Sequence, residues 1–285
     1  MFKQVRYFYR MSRPINVLIA LMTILIAAFV TGEFQLQATL YLACITAAFM
    51  TSGANIVNDI FDVAIDRINK PRRLLPSELI SIRQAWIYFY LSYALALLAA
   101  LLSGWSMFLI AALIALLLYL YSAHLKRTIL WGNLTVSFST AIAFIYGAMA
   151  VGAWKAGIIP AVFAFLFHFG REIVKDMQDV KGDLADGAVT FPGRYGMVKA
   201  IILINITFLI LIVLTIIPYI LDIYSSYYLW VVLFGVDTVL IASSLMIWFR
   251  HDPSTLGKIS HLLKLDMLVG LVAIYLGGNH VIFLN

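Results

Sequence analysis

Residues 37–57, QATLYLACITAAFMTSGANIV, form an apolar run that passes without a break into Asn58-Asp59-Ile60-Phe61-Asp62-Val63-Ala64-Ile65-Asp66. A helix needs roughly 20 mostly apolar residues to cross a bilayer. The run therefore reads as a membrane span that ends in carboxylates. Eight further runs are similar, giving nine predicted spans at about 14–32, 37–57, 84–103, 105–121, 131–151, 157–175, 197–219, 227–249 and 263–283. Tight turns near Gly32 and Gly104 make helical hairpins. The expected fold is an all-α membrane protein, with 1–285 as a single transmembrane domain.

Composition agrees with that reading. The 285 residues are 63% hydrophobic and 12% charged, more apolar surface than a soluble domain of this size can hide. Cys44 is the one cysteine, which excludes a disulfide framework, and the spacing of Cys and His suggests no zinc site. The basic N-terminus, MFKQVRYFYRMSRP, lacks a small-residue cleavage site, and neither end carries a lipidation motif.

The formal net charge of +6 invites a nucleic-acid reading, but its placement argues for topology. With the N-terminus cytoplasmic, 19 of the 20 Lys and Arg fall inside and only Lys155 falls outside. That is the positive-inside pattern, reinforced by contact with anionic headgroups. The expected location is an integral, multi-pass protein of a prokaryotic plasma membrane.

The acids are less expected. Most gather in two cytoplasmic segments, 58–83 and 176–196. The first carries Asp59, Asp62 and Asp66 after Asn58, followed by Arg67, Lys70, Arg72 and Arg73; the second carries Asp176, Asp179 and Asp183, preceded by Arg171, Glu172 and Lys175. Offsets of 0, 3 and 7 fall within an arc of about 60° on an α-helix, so each triplet is predicted to be one acidic stripe. Like charges at this spacing repel. Mg²⁺ removes the conflict, since it takes oxygen ligands shared between one or two carboxylates and phosphate oxygens. Two facing stripes are thus expected to grip a magnesium-bound diphosphate, with nearby Arg and Lys neutralising the remaining charge. The competing account is that each acid is simply solvated or paired with a neighbouring base.

Four spans separate the motifs, so both have one orientation. An internal four-helix parallel repeat, related by an axis along the membrane normal, would bring both stripes to one central cavity. Tyr121-Ser122 and Lys126-Arg127 end the fourth span: the bases either reach the diphosphate or anchor the helix at the interface. Asp237 lies deep in the eighth span, either functional or a neutral, hydrogen-bonded acid near Ser243 or Ser244. His168 and His280 read as core or interfacial histidines.

With these residues in hand, the chain resembles the UbiA superfamily of intramembrane prenyltransferases over nearly its whole length. The resemblance rests on Asn58-Asp59-x-x-Asp62-x-x-x-Asp66-x-x-Asn69-Lys70-Pro71, on Tyr121-Ser122 with Leu125-Lys126-Arg127, and on Asp179-x-x-x-Asp183. It implies a nine-helix bundle around a central cavity, Mg²⁺, a prenyl diphosphate donor and an acceptor. It makes Asn58, Asp62, Asp66, Asp179 and Asp183 the catalytic set, with Asp59 and Asp176 added as metal ligands by the stripes. Arg67, Arg73, Lys126, Arg127, Lys175 and Tyr121 are the candidate diphosphate-binding residues. The run Arg73-Leu74-Leu75-Pro76-Ser77-Glu78 departs from the family's usual Arg-Pro-Leu-Pro-Ser-Gly, with Leu for Pro and Glu for Gly.

The context Arg171-Glu172-x-x-Lys175-Asp176-x-x-Asp179, then Gly187, Thr190 and Pro192, is similar to the geranylgeranylglyceryl-phosphate geranylgeranyltransferases. That resemblance implies transfer of a geranylgeranyl or similar prenyl group to the hydroxyl of a prenylglyceryl phosphate, with Lys175, Arg171 or Lys126 on the acceptor phosphate. An aromatic acceptor, as in quinone or chlorophyll-type synthesis, is a second reading. A cation-coupled transporter is a third, disfavoured because transporters place their coupling acids near mid-membrane.

Overall fold

The computed structural model describes residues 2–185 and 187–278. Among them there is no strand, and the chain is a bundle of long helices. A basic surface helix α1 (Phe2–Met11) meets α2 (Pro14–Phe29) at a 62° elbow. Then come α3 (Ala38–Phe61), the short α4 (Val63–Asn69), and the hairpin α5 (Ile82–Ser103) and α6 (Trp105–Ala123). Gly104 closes that hairpin at φ 129, a conformation only glycine adopts cheaply. The second half holds α7 (Trp131–Met149), α8 (Ile158–Ala185), the short α9 (Phe191–Tyr195), α10 (Met197–Ile220), α11 (Ser226–Val231), α12 (Thr238–Phe249) and α13 (Pro253–Gly278).

Among the described residues seven helical segments are long and apolar enough to cross a membrane, or eight if α1 and α2 form one broken span. Helix α7 is less apolar than these, because Asn133, Thr135, Ser137, Ser139 and Thr140 dilute it. Rows of exposed leucines, Leu98 and Leu102 on α5 and Leu109, Leu113 and Leu116 on α6, face outward as a lipid-facing surface should. The chain is a multi-pass integral membrane protein.

Two predicted boundaries move. Helix α8 runs on to Ala185, so the whole second motif lies on a span helix that sequence hydropathy ends near 175. Helix α13 starts at Pro253 rather than near 263. Asp252 caps it, accepting hydrogen bonds from the Thr255 backbone N–H (3.0 Å) and hydroxyl (2.6 Å), and Pro253 follows at the first helical position. The end of the predicted span 263–283 lies outside the described residues, as does His280.

Each half has its own core. One joins α2, α3, α5 and α6 through Ile24, Leu40, Ile56, Phe89 and Ala111. The other joins α8, α10, α12 and α13 through Ile173, Ile204, Phe208, Leu240 and Leu263. A third, around Ala27, Phe144 and Tyr228, seams the halves together. Close approach at the seam depends on small residues, as expected where lipid removes the hydrophobic driving force. A Cβ on Gly147 would stand 2.5 Å from the Ile24 carbonyl oxygen, which lets α7 lie directly on α2.

Between α11 and α12 the backbone widens into a π turn, Val232–Asp237. The Thr238 hydroxyl donates to the Leu233 carbonyl, five residues back. Asp237 ends this turn fully buried, and Thr215 on α10 donates to it at 3.3 and 3.4 Å; the expected partners Ser243 and Ser244 are not the ones it uses.

Candidate active site

The first motif is not one helical stripe. Helix α3 ends at Phe61, Asp62 takes φ −90 and ψ 0 at the junction, and α4 starts at Val63. The acids on either side of the break are held by Arg13, Arg73 and Lys126, with Arg73 spanning it. Asp59, near the end of α3, accepts from Arg13 at the start of α2 and from Arg73 at 3.0 Å. Asp66, only 4% exposed on α4, accepts from the same Arg73 at 2.5 Å. Asp62 accepts from Asn58 Nδ2 at 2.9 Å and from Lys126, whose ammonium also lies 3.4 Å from Asn58 Oδ1. Arg67 turns away, 3.5 Å from Glu78, with both side chains mostly in solvent.

Local sequence positions each base. Leu74, Leu75 and Ile80 are buried in the first core and pin the loop after α4, so that Arg73 points back at the acids. Glu78 sits in that loop at φ 59. This is the left-handed region that glycine prefers, so Glu78 holds it at a backbone cost. Lys126 lies on a 3₁₀ turn, Leu125–Arg127. A Cβ on Gly132 would stand 2.9 Å from the Lys126 Cα, so glycine lets the first turn of α7 press against this turn.

The second motif is one continuous stripe on α8. Asp176 accepts from Asn133 Nδ2 of α7 at 2.8 Å. Glu172, one turn earlier and 6% exposed, accepts from Arg171 at 2.9 Å and Lys175 at 2.8 Å. Asp179 makes no ion pair among the described residues. The Asp183 carbonyl accepts from the Ala188 N–H at 2.8 Å, closing the helix end.

The 3₁₀ turn touches both motifs. Its Lys126 holds Asp62, while its Arg127 carbonyl accepts from the Val189 N–H at 2.9 Å, just beyond the second motif. The Tyr121 hydroxyl lies within electrostatic reach of Asp62 on one side and of Glu172, Lys175 and Asp176 on the other. The two acidic helix ends therefore share one face of the bundle.

Beneath that face lies a cavity of about 580 Å³, mostly apolar, running between α2, α3, α6, α7, α8 and α13. Arg13, Asn16, Asn55, Arg171, Lys175 and Lys264 stand along its wall. A second cavity of about 510 Å³ opens beside it among Arg10, Asp59, Lys70, Arg72 and Arg73, and Arg13 lines both. Ser139 Oγ, His168 Nδ1, Arg171 Nε and both Asp266 oxygens are buried, line the large cavity and lack a hydrogen-bond partner among the described residues. A wall with that many unanswered polar atoms is built to meet a polar ligand.

The profile of the UbiA prenyltransferase family matches residues 19–263. The chain belongs to the UbiA prenyltransferase family. It is an enzyme of that family, and its nearer relatives are consistent on subtype. The digeranylgeranylglyceryl phosphate synthase of Methanothermobacter thermautotrophicus is 35% identical over 267 residues, covering 94% of each chain. A solved structure of digeranylgeranylglyceryl phosphate synthase superposes with a TM-score of 0.82 at 29% identity, over 98% of this chain and 99% of that one. A UbiA homolog from Archaeoglobus fulgidus, solved bound to DMAPP and Mg²⁺, shares the fold with a TM-score of 0.66 at 20% identity, over 94% and 98%.

Sequence reasoning missed Arg13, Asn16, Asn55, His168 and Lys264 as wall residues of this UbiA cavity. One signal was present: Lys264 and Asp266 are charges inside a predicted span, where charge is expensive and marks function.

Among the described residues no three Asp, Glu, His or Cys side chains converge into a ready-made metal cage. Mg²⁺ does not require one. It is held by one or two carboxylates, with phosphate oxygens and water completing the octahedron. The donors of both motifs are all hard oxygens, and the acids of the first are paired with Arg73 and Lys126. That donor set fits Mg²⁺.

Proposed function

We propose that the protein transfers a geranylgeranyl or similar prenyl group from a prenyl diphosphate to the hydroxyl of a prenylglyceryl phosphate, making an ether-lipid precursor. The observation that carries this reading is the meeting of the two aspartate motifs at the Lys126 turn, over an apolar cavity. The similarity to digeranylgeranylglyceryl phosphate synthases supports the acceptor class. The same reading takes nine spans with α2 and α7 included, a cytoplasmic N-terminus and motif face, and the two halves as a parallel repeat. In each half a motif helix, α3 or α8, is followed by a short helix and then a long one.

Asn58, Asp62, Asp66, Asp179 and Asp183 hold Mg²⁺ and diphosphate, with Asp59 and Asp176 at the edges of the set. Mg²⁺, when bound, neutralises charge on the departing diphosphate. Arg73, Lys126 and Arg127 add fixed positive charge there. Tyr121 lines the mouth between the motifs, Lys175 serves the second motif side, and Arg67 guards the rim. The apolar cavity accepts the prenyl chain and excludes water, which protects an allylic cation from hydrolysis. The C1–O bond to diphosphate breaks, the acceptor hydroxyl oxygen bonds to C1, and its proton leaves with the diphosphate.

The test is an assay of purified protein with Mg²⁺, geranylgeranyl diphosphate and a panel of acceptors, read by mass spectrometry. A geranylgeranyl ether of geranylgeranylglyceryl phosphate is expected. A prenylated aromatic ring as the product, with no glycerol ether, overturns the acceptor assignment.

A further inference from the structure

Lys264 is a lysine within a membrane helix that pairs with no acid among the described residues. Its ammonium reaches Asn16 Oδ1 of α2 at 3.5 Å, and its charged surroundings are Arg171, Arg13 and Lys175. Basic groups from α2, α8 and α13 thus converge on the wall of one cavity. Repulsion among them is unfavourable, and intramembrane charge is costly unless something answers it.

The local acids do not answer it. Glu172 is one carboxylate shared by Arg171 and Lys175. Arg13 is already committed to Asp59. Asp266 lies two residues beyond Lys264, about 200° around the helix, and its charged neighbour is Asp237 rather than these bases. Arg171, Lys175 and Lys264 against Glu172 and against Asp176, which also faces Lys175, leave a surplus of one positive charge. A phosphate monoester carries about −1.5 to −2 at neutral pH, with three strong acceptor oxygens. The buried Nε of Arg171, without a partner, is a donor waiting for such an oxygen.

This cluster is separate from the bases on the first motif. Arg73 and Lys126 engage Asp59, Asp66 and Asp62, on the diphosphate side of the proposed reaction. Lys264 and Arg171 engage none of the motif aspartates. Among the described residues, a cationic cluster on the wall of the cavity thus stands apart from the one at the Asp-Asn cluster.

We infer that Arg171 and Lys264, with Asn16 beside them and Lys175 between them and the second motif, form a binding site for the phosphate monoester of the acceptor, distinct from the diphosphate site at the first motif. This rests on the glycerophosphate reading of the acceptor. Lys264 is its specificity residue: it selects acceptors that carry a phosphate over neutral ones, and it fixes the headgroup so that the glycerol hydroxyl is presented to the prenyl C1.

Lys264→Met and Lys264→Arg test it by steady-state kinetics and by thermal unfolding in detergent. The expected result for Lys264→Met is a KM for geranylgeranylglyceryl phosphate raised about 10- to 100-fold, the loss of one charge-assisted contact. The KM for geranylgeranyl diphosphate stays within about twofold, and preference for the acceptor over its dephosphorylated alcohol falls by the same factor as the KM rises. Lys264→Arg recovers most of the loss, since it keeps the charge. An equal rise in both KM values, or unchanged preference for the phosphorylated acceptor, overturns the inference.

Binding is read without turnover. Geranylgeranylglyceryl phosphate alone should raise the unfolding temperature of the wild type and not of Lys264→Met. Inorganic phosphate giving the full shift at the same concentration would mean a site for the free anion and overturn the lipid assignment. If the wild type makes no glycerol ether, the proposed function fails by itself. The binding arm then still decides the site: a Lys264-dependent shift upholds it, and no shift removes it.

Discussion

The first aspartate motif bends where the second stays straight. Asp59, Asp62 and Asp66 are divided between α3, a junction and α4, and are held by Arg13, Lys126 and a shared Arg73 from three parts of the chain. Asp176, Asp179 and Asp183 follow one another along α8, where Asp176 takes a neutral amide and Asp179 has no ion pair among the described residues. Equal spacing in sequence has produced one site cross-linked by distant bases and one continuous helical stripe. The difference teaches that the first motif also knits the structure, through Arg73 bridging α3 and α4, while in the second Asp176 takes a neutral amide and Asp179 forms no ion pair among the described residues.

The sharpest way to break that comparison is to remove one acid from each side. Asp62→Ala and Asp179→Ala should each lower kcat/KM by about 10²–10³ while the protein still inserts and folds, because each removes a carboxylate proposed to hold the Mg²⁺ that binds the leaving diphosphate. Near-normal turnover in either variant would remove that motif from the metal site.

Stability should separate the motifs where activity does not. Arg73→Ala strands the buried Asp66 and part of Asp59, and should cost about 2–3 kcal/mol, somewhat below a fully buried pair because Arg73 is partly exposed. Asn133→Ala removes one hydrogen bond from Asp176 and should cost about 1 kcal/mol. Thermal unfolding in detergent measures both, and equal losses would contradict the division of labour.

A smaller effect tests the loop that aims Arg73. Glu78→Gly relieves a left-handed backbone and gives up only an exposed pairing with Arg67, so it should stabilise by about 0.5–1 kcal/mol. A loss of stability would show that the Arg67 pairing matters more than the backbone.

The smallest effect calibrates the motif acids against an exposed one. Hydrogen bonds from the Thr255 side chain and backbone hold the Asp252 carboxyl below the usual carboxylate range. Its folded pKa is lowered, so its contribution is present above the unfolded value and fades as pH falls through the lowered one. Asp252→Asn should flatten only that acid-side step in an unfolding-temperature profile. A change near neutral pH would assign Asp252 some other role.

The helices were largely legible because 20-residue apolar runs have few alternatives in a bilayer. The acidic stripe of α8 was legible for the same reason: period alone decides which face the acids share. The break at Asp62 was not, because it is set by partners far away in sequence, Arg13 and Lys126 among them. Arg13 and Lys264 were hidden by their own plausibility, since a base near a span end satisfies the positive-inside rule. The early start of α13 was written in Asp252-Pro253-Ser254-Thr255, a capping signal that a hydropathy window averages away.

A helix keeps phase as well as length, and the π turn at Val232–Asp237 resets it. One surplus residue advances everything downstream by about 100° relative to an unbroken α-helix. Asp237 is thereby dialled inward to Thr215 instead of outward to acyl chains. Deleting a single residue between 232 and 236 would wind the helix back, and a carboxyl group that is now an interior fixture would become a polar intruder among lipid tails, at a cost of about 2.5–3.5 kcal/mol.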